Sequence, residues 1–195
     1  QGEAVSAEQT DDPENEKSSI PDVLPILPLR GLVVYPQTAV PLTIGQARSI
    51  RLVDDVMDGD ERMIGLVASR NPELETPGPD ELYRVGCVAM VHRMFRAPDG
   101  TIRLVVQGIA RFELGEFVQE EPYLKAHIRL APEVVEEGVE LEALARNARS
   151  QLERIAELIP SIPRELVASV LALDDPLQTV YTIANFQRMD LEDAQ

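Results

Sequence analysis

The chain has 195 residues, 34 of them acidic and 18 basic, for a formal net charge of −16. A hydrophobic fraction of 44% supports a core, and with no Trp and 4% aromatic residues that core must be mostly aliphatic. The single cysteine, Cys87, excludes an internal disulfide framework and a multi-cysteine zinc site, and the acid excess opposes binding to nucleic-acid phosphates or anionic membrane surfaces.

Residues 1–19 carry six acids against Lys17, with only Ala4, Val5 and Ala7 apolar. Such a segment buries too little surface to offset its ordering entropy and is expected to be a disordered acidic tail. From Ile20 to Ile44, prolines at 21, 25, 28, 36 and 41 forbid a helix and restrict interior strands. Gly31 to Tyr35 is predicted as a first strand and Val40 to Ile44 as a second. Gln46 to Asp58 is predicted as a helix, because Ala47, Ile50, Val53, Val56 and Met57 recur at helical spacing opposite a charged face. Met63 to Ser69 reads as a short apolar strand, and residues 70–81, with Pro72, Pro77, Gly78 and Pro79, as a loop.

Tyr83 to Phe95 is predicted as a long strand. Ala97-Pro98-Asp99-Gly100 is a turn, with Pro presetting φ and Gly supplying a positive φ, so residues 83–107 form a β-hairpin. Ile109 to Phe117 adds one or two strands around Gly115. Leu124 to Leu130 alternates apolar and polar residues, the pattern of a strand with one wet face.

After Pro132 the pattern becomes helical. Leu141 to Ile159 repeats apolar residues at steps of three and four, and Pro160 and Pro163 stop it. A second helix starts at Pro163, and Asp174-Asp175-Pro176 begins a third that runs to about Met189. A further helix, or a cut in the chain, is expected after Asp190. The fold class is therefore α+β. An acidic tail at 1–19 precedes a β-rich lobe at 20–130 and a helical lobe at 131–195 that continues beyond the fragment.

Motifs for chemistry are missing from the sequence. There is no P-loop, no dinucleotide-binding glycine pattern and no serine nucleophile elbow. His92 and His127 have no HExxH partner. Cys87 and His92 stand five apart on a strand, which puts them on opposite faces and argues against a metal site or a Cys–His catalytic pair there. His127 could still approach Cys87 from another strand. No catalytic, metal or cofactor residues are assigned.

What remains is a surface. Met90, Met94 and Phe95 cluster towards the hairpin turn, and Val33, Val34 and Tyr35 run into Pro36. Methionine adapts to varied partners, and an exposed apolar patch marks a binding site. The other reading is that these side chains close the end of the sheet core.

The run Val23-Leu24-Pro25-Ile26-Leu27-Pro28-Leu29-Arg30-Gly31-Leu32-Val33-Val34-Tyr35-Pro36 resembles the opening of the N-terminal domain of bacterial Lon proteases. Val40-Pro41-Leu42-Thr43-Ile44-Gly45, Pro98-Asp99-Gly100-Thr101, Val106-Gln107-Gly108-Ile109-Ala110-Arg111, Ile162-Pro163 and Leu173-Asp174-Asp175-Pro176 continue the resemblance, which covers about residues 20–189. It implies a PUA-like pseudo-barrel lobe followed by an α-helical bundle lobe. It also implies a non-catalytic part of a cytoplasmic, hexameric ATP-dependent serine protease acting in protein quality control. In that family the ATPase module and catalytic pair lie downstream. The implied partners are unfolded or damaged proteins and other Lon subunits, with no nucleic acid and no membrane. On this reading Val33, Val34, Tyr35, Pro36, Met90, Met94 and Phe95 form the substrate-binding patch. The alternatives are a stand-alone Lon-like binding domain, a passive assembly module, or a small enzyme joining Cys87 and His127.

Overall fold

A computed structural model describes residues 20–135, 138–159, 162–186 and 189–195. The expected acidic tail lies outside the described residues. Six strands come first: β1 (Val23–Leu29), β2 (Ala39–Ile44), β3 (Met63–Ala68), β4 (Val85–Arg96), β5 (Ile102–Gln119) and β6 (Lys125–Leu130). Helix α1 (Ala47–Asp58) lies between β2 and β3. Helices α2 (Val139–Leu158), α3 (Arg164–Leu171), α4 (Pro176–Phe186) and the short α5 (Leu191–Ala194) follow. The fold is α+β, with its strands ahead of its long helices.

The strand order is β2-β5-β4-β3-β1-β6, and β5 pairs with β6 as well. Strands β1, β3, β4, β5 and β6 therefore close on themselves as a pseudo-barrel, with β2 added to the free half of β5. Closure is possible because β5 is 18 residues long. Its first half pairs with β2 and its last part, from Phe112 to Gln119, with β6. Register shifts along both β4–β5 and β5–β6 bend the strand. The sequence predicts a return strand to Gln107 and one or two more over Ile109–Phe117; the bulges instead let a single strand run from Ile102 to Gln119.

The first strand differs from expectation. Gly31 to Tyr35 is not a strand: Gly31 takes a φ of +65° and turns the chain across the end of the sheet. The strand lies earlier, at Val23–Leu29, despite Pro25 and Pro28. Even-numbered residues face β6 and odd-numbered ones β3, as shown by the bonds from the Ile26 amide to the Leu124 carbonyl and from the Ser69 amide to the Leu29 carbonyl. Pairing with β6 spans Val23 to Pro25 and pairing with β3 spans Ile26 to Leu29. Pro25 thus precedes the first β3 pair, and Pro28 lies past the last β6 pair. Neither position requires an amide donor. Pro41 is tolerated because β2 is an edge strand.

Two apolar clusters result. One, including Leu24, Ile26, Val88, Phe112 and Ala126, draws on all five closed strands and fills the ring. The other lies between the sheet and α1, with Leu52, Val53, Leu66, Cys87 and Leu104 at its centre. Strand β3 is buried along its whole length because it serves both clusters.

In the helical part, Ala145, Val167, Val170 and Thr179 are buried between α2, α3 and α4. The Asp175 carboxylate accepts from the Leu177 amide at 2.9 Å, giving α4 the cap its sequence predicts. Arg149 of α2 ties the bundle together by donating to Thr179 Oγ1 at 3.1 Å.

Candidate protein-binding surface

The seven expected patch residues fall into two groups. Val34 and Pro36 are buried, with Val34 in the α1-side cluster. Val33 and Tyr35 are half-buried. Their segment docks on β5 through the Gln37 amide to the Gly108 carbonyl at 3.0 Å and the Gly108 amide to the Thr38 carbonyl at 2.9 Å. Met94 and Phe95 pair with Leu104 and Arg103, four and five residues along β5 from Gly108. At about 3.4 Å per residue that places Met94 and Phe95 roughly 14 Å or more along the strand from this docking point, whereas Met90, paired with Gln107, lies one residue from it.

Met94 and Phe95 also face opposite ways. The register runs Val91 to Val106 and then Arg93 to Val105, so His92 is an extra residue that shifts the alternation. Met94 thereby turns towards α1, where it packs on the core. Phe95 turns to the other face and is 60% exposed. Directly paired residues share a face. This ring-side face of the β2–β5–β4 extension therefore carries Met90, Arg93 and Phe95 from β4, Gln107, Val105 and Arg103 from β5, and Ala39, Pro41 and Thr43 from β2. Met90 is half-buried against the ring cluster, whereas Ala39, Pro41 and Thr43 are exposed. The result is a shallow strip with an apolar middle and two arginines.

Val105, Arg93 and Arg103 were not among the expected site residues. The alternation of Ile102, Leu104 and Val106 with Arg103, Val105 and Gln107 was the available signal. The bulge that assigns Phe95 to this face leaves no mark in the pattern.

At the other group, Tyr35 is partly covered by the helical part. Its ring stacks on Tyr181 with centroids 5.6 Å apart and planes 21° apart. Its hydroxyl donates to the Ala194 carbonyl at 2.9 Å, and the Gln195 side-chain amide donates to the Val85 carbonyl at 2.8 Å. The Tyr181 hydroxyl donates to the Glu133 carboxylate, which also lies 3.9 Å from Arg111. Burial raises the Tyr35 hydroxyl above its ordinary range. Burial and then the bond to Glu133 raise Tyr181. Behind these rings is a cavity of about 130 Å³ that reaches Cys87.

Cys87 is buried, and burial pushes its thiol up to about 12, so it stays protonated and unreactive at neutral pH. Its Sγ donates to the Val88 carbonyl at 3.3 Å. His92 and His127 are both exposed. Among the described residues no group of three or more His, Cys, Asp or Glu side chains is placed to hold a metal. No helix among them is long and apolar enough to cross a membrane. In this region, the features suited to recognition are the apolar strip with Arg93 and Arg103 and the cavity behind Tyr35.

Comparison with known proteins agrees across the chain. Residues 23–195 match the family described as the ATP-dependent protease La (LON) substrate-binding domain. Lon protease 1 of Herpetosiphon aurantiacus is 44% identical over 183 residues, covering 91% of this chain and 22% of that protein. Lon protease of Dictyoglomus thermophilum is 41% identical over 181 residues, covering 93% of this chain and 23% of that one. The chain thus spans less than a quarter of the length of these relatives. Among solved structures, the N-terminal domain of Mycobacterium avium complex Lon protease superposes with a TM-score of 0.71 at 18% identity, covering 88% of this chain and 86% of that one. At that identity the likeness is one of fold. The chain belongs to the family of Lon protease substrate-binding domains.

Proposed function

We propose that this domain recognises unfolded or damaged proteins for a cytoplasmic Lon protease, holding their exposed apolar segments on the ring-side face of the β4–β5 hairpin. The observation that carries this reading is Phe95, 60% exposed on the same sheet face as Met90 and Val105. A folded protein hides side chains of the kind this strip would bury, and an unfolded one offers them. Arg93 and Arg103 at its margin favour segments that also carry a carboxylate. The net charge of −16 weighs against nucleic acid as the target.

Covering a Phe side chain contributes at most about 1.5–3 kcal/mol. Association costs several kcal/mol, so a strip of this size gives affinities of about micromolar or weaker. Six copies in a ring would raise avidity without new contacts, and weak single contacts would let a moving client go. Val33 and Tyr35 belong to the same reading through the cavity beneath them.

The test is fluorescence-anisotropy binding of a carboxymethylated, permanently unfolded protein and of the same protein in its native form. Phe95→Glu should weaken binding of the unfolded form by fivefold or more, about 1 kcal/mol. Equal binding of the native form, or no loss on substitution, would contradict the reading.

A further inference from the structure

Strand β2 ends the sheet, and among the described residues no strand pairs with its outer side. The Gly108 amide donates to the Thr38 carbonyl at 2.9 Å, so Thr38 turns its backbone towards β5. The register then runs unbroken from Ala39 opposite Gln107 to Ile44 opposite Ile102. Backbone direction alternates along an antiparallel pair. Val40, Leu42 and Ile44 therefore bond to β5, while Ala39, Pro41 and Thr43 turn their backbone groups outward. The outer edge offers amides at Ala39 and Thr43, and carbonyls at Ala39, Pro41 and Thr43.

That edge borders a groove of about 430 Å³, within the ~300–1,000 Å³ range of ligand clefts. Pro41, Thr43 and Ile44 of the edge line it together with Leu27, Leu29 and Leu32. Arg30 is exposed and is the one charge among the described lining residues. It makes no ion pair with any described residue. In a chain of net charge −16, an apolar opening with a cation and no carboxylate is complementary to a segment that carries an acid.

We propose that β2 takes on, as an added strand, an extended internal segment of a client that alternates apolar residues and carries a carboxylate. The proposal rests on the reading that the domain holds unfolded proteins, and it gives them a backbone contact that the hairpin strip lacks. An unfolded chain has amides and carbonyls free to pair with the edge, whereas a folded one has already paired them. Client residues opposite Leu42 and Ile44 share their face and enter the groove, whose Leu27 and Leu29 belong to the same α1-side cluster. The intervening client residues lie beside Pro41 and Thr43 on the ring-side face, continuing the strip that carries Phe95. The client carboxylate meets Arg30. A second copy is the poorer occupant: two β2 strands pairing about their middle would set Pro41 against Pro41, with no amide on either side.

The probe is a peptide with blocked ends that alternates leucine with threonine and carries one glutamate, titrated into the 195-residue chain. Its binding should slow hydrogen exchange of the outward Ala39 and Thr43 amides and leave Val40 and Leu42, already bonded to β5, unchanged. N-methylation of the peptide amides that face the edge keeps its side chains and should weaken binding about fivefold or more, the effect of lost hydrogen bonds. Thr43→Pro removes one outward donor at a position where an edge strand tolerates proline, and should weaken binding to a similar extent. Arg30→Glu should weaken the glutamate peptide about fivefold and change its glutamine counterpart little. Ala39 and Thr43 amides that stay unprotected, or equal binding of the N-methylated peptide, would overturn strand addition. In that case the hairpin reading stands if Phe95→Glu still weakens the carboxymethylated unfolded protein, and falls with it if that protein binds neither region. Protection of the two amides that rises with protein concentration and needs no peptide would place a second copy at the edge and overturn the client assignment.

Discussion

The Tyr35 hydroxyl donates to the Ala194 carbonyl at 2.9 Å, joining residues 159 positions apart. This bond and the stack of Tyr35 on Tyr181 carry much of the junction between the strands and the last helices. Tyr35→Phe keeps the ring and removes the bond, leaving the carbonyl without its donor, at a cost of about 1 kcal/mol. Amide hydrogen exchange at residues 191–195 should rise about fivefold, with the ring strands unchanged. Tyr181→Ala removes the stack as well and should raise it further. Unaltered exchange in Tyr35→Phe would mean that the bond does not hold α5 in solution.

Gly108 is where the chain leading into β2 touches β5 most closely. A Cβ there would stand 2.2 Å from the Tyr35 carbonyl oxygen, and backbone cannot yield as a side-chain tip can. Gly108→Ala should therefore destabilise the chain by about 1–3 kcal/mol. A drop in the urea midpoint with an unchanged slope is the expected result.

Met94 and Phe95, adjacent in sequence, should respond in opposite ways. Met94→Ala removes packing against the α1-side core and should cost about 1–2 kcal/mol, less than a fully buried methionine. Phe95→Ala should change stability by less than about 0.5 kcal/mol, as exposed positions do. Client binding should show the reverse order. Thermal unfolding and client titration of the two variants separate the roles.

Stability should fall at alkaline pH. Burial holds Cys87 near 12 against an ordinary 9.0, and it also raises Tyr35, Tyr123 and Tyr181 above 10.0. Above pH 9 the unfolded chain releases protons that the folded chain retains, so the unfolded state binds fewer protons and stability declines as pH rises. The contribution is fully present below pH 9 and is lost progressively towards pH 12. Urea midpoints should decrease between about pH 8.5 and about pH 11, and Cys87→Ala should flatten that slope.

Periodicity revealed much of this architecture. Helix α1, strands β2 and β3, the β4–β5 hairpin, the start of α3 at Pro163 and the Asp175 cap of α4 all follow from local pattern and proline position. The position of β1 was hidden because the tolerance of Pro25 and Pro28 depends on where its neighbours begin and end, which is a property of the assembled sheet. The candidate surface was partly legible. Phe95 stood out as an apolar residue beside a turn, but the single extra residue at His92 decides which face it takes. The covering of Tyr35 by Tyr181 and Ala194 joins the two parts of the chain, and no local pattern announces it.

The most direct measurement is an amide-shift titration of the chain with a carboxymethylated unfolded protein and with its native counterpart. The unfolded form should shift Met90, Arg93, Phe95, Arg103 and Val105 in a saturable manner, and the native form should leave them in place. Shifts confined to α2–α4, or the same response to both forms, would contradict recognition of unfolded chains by the hairpin face.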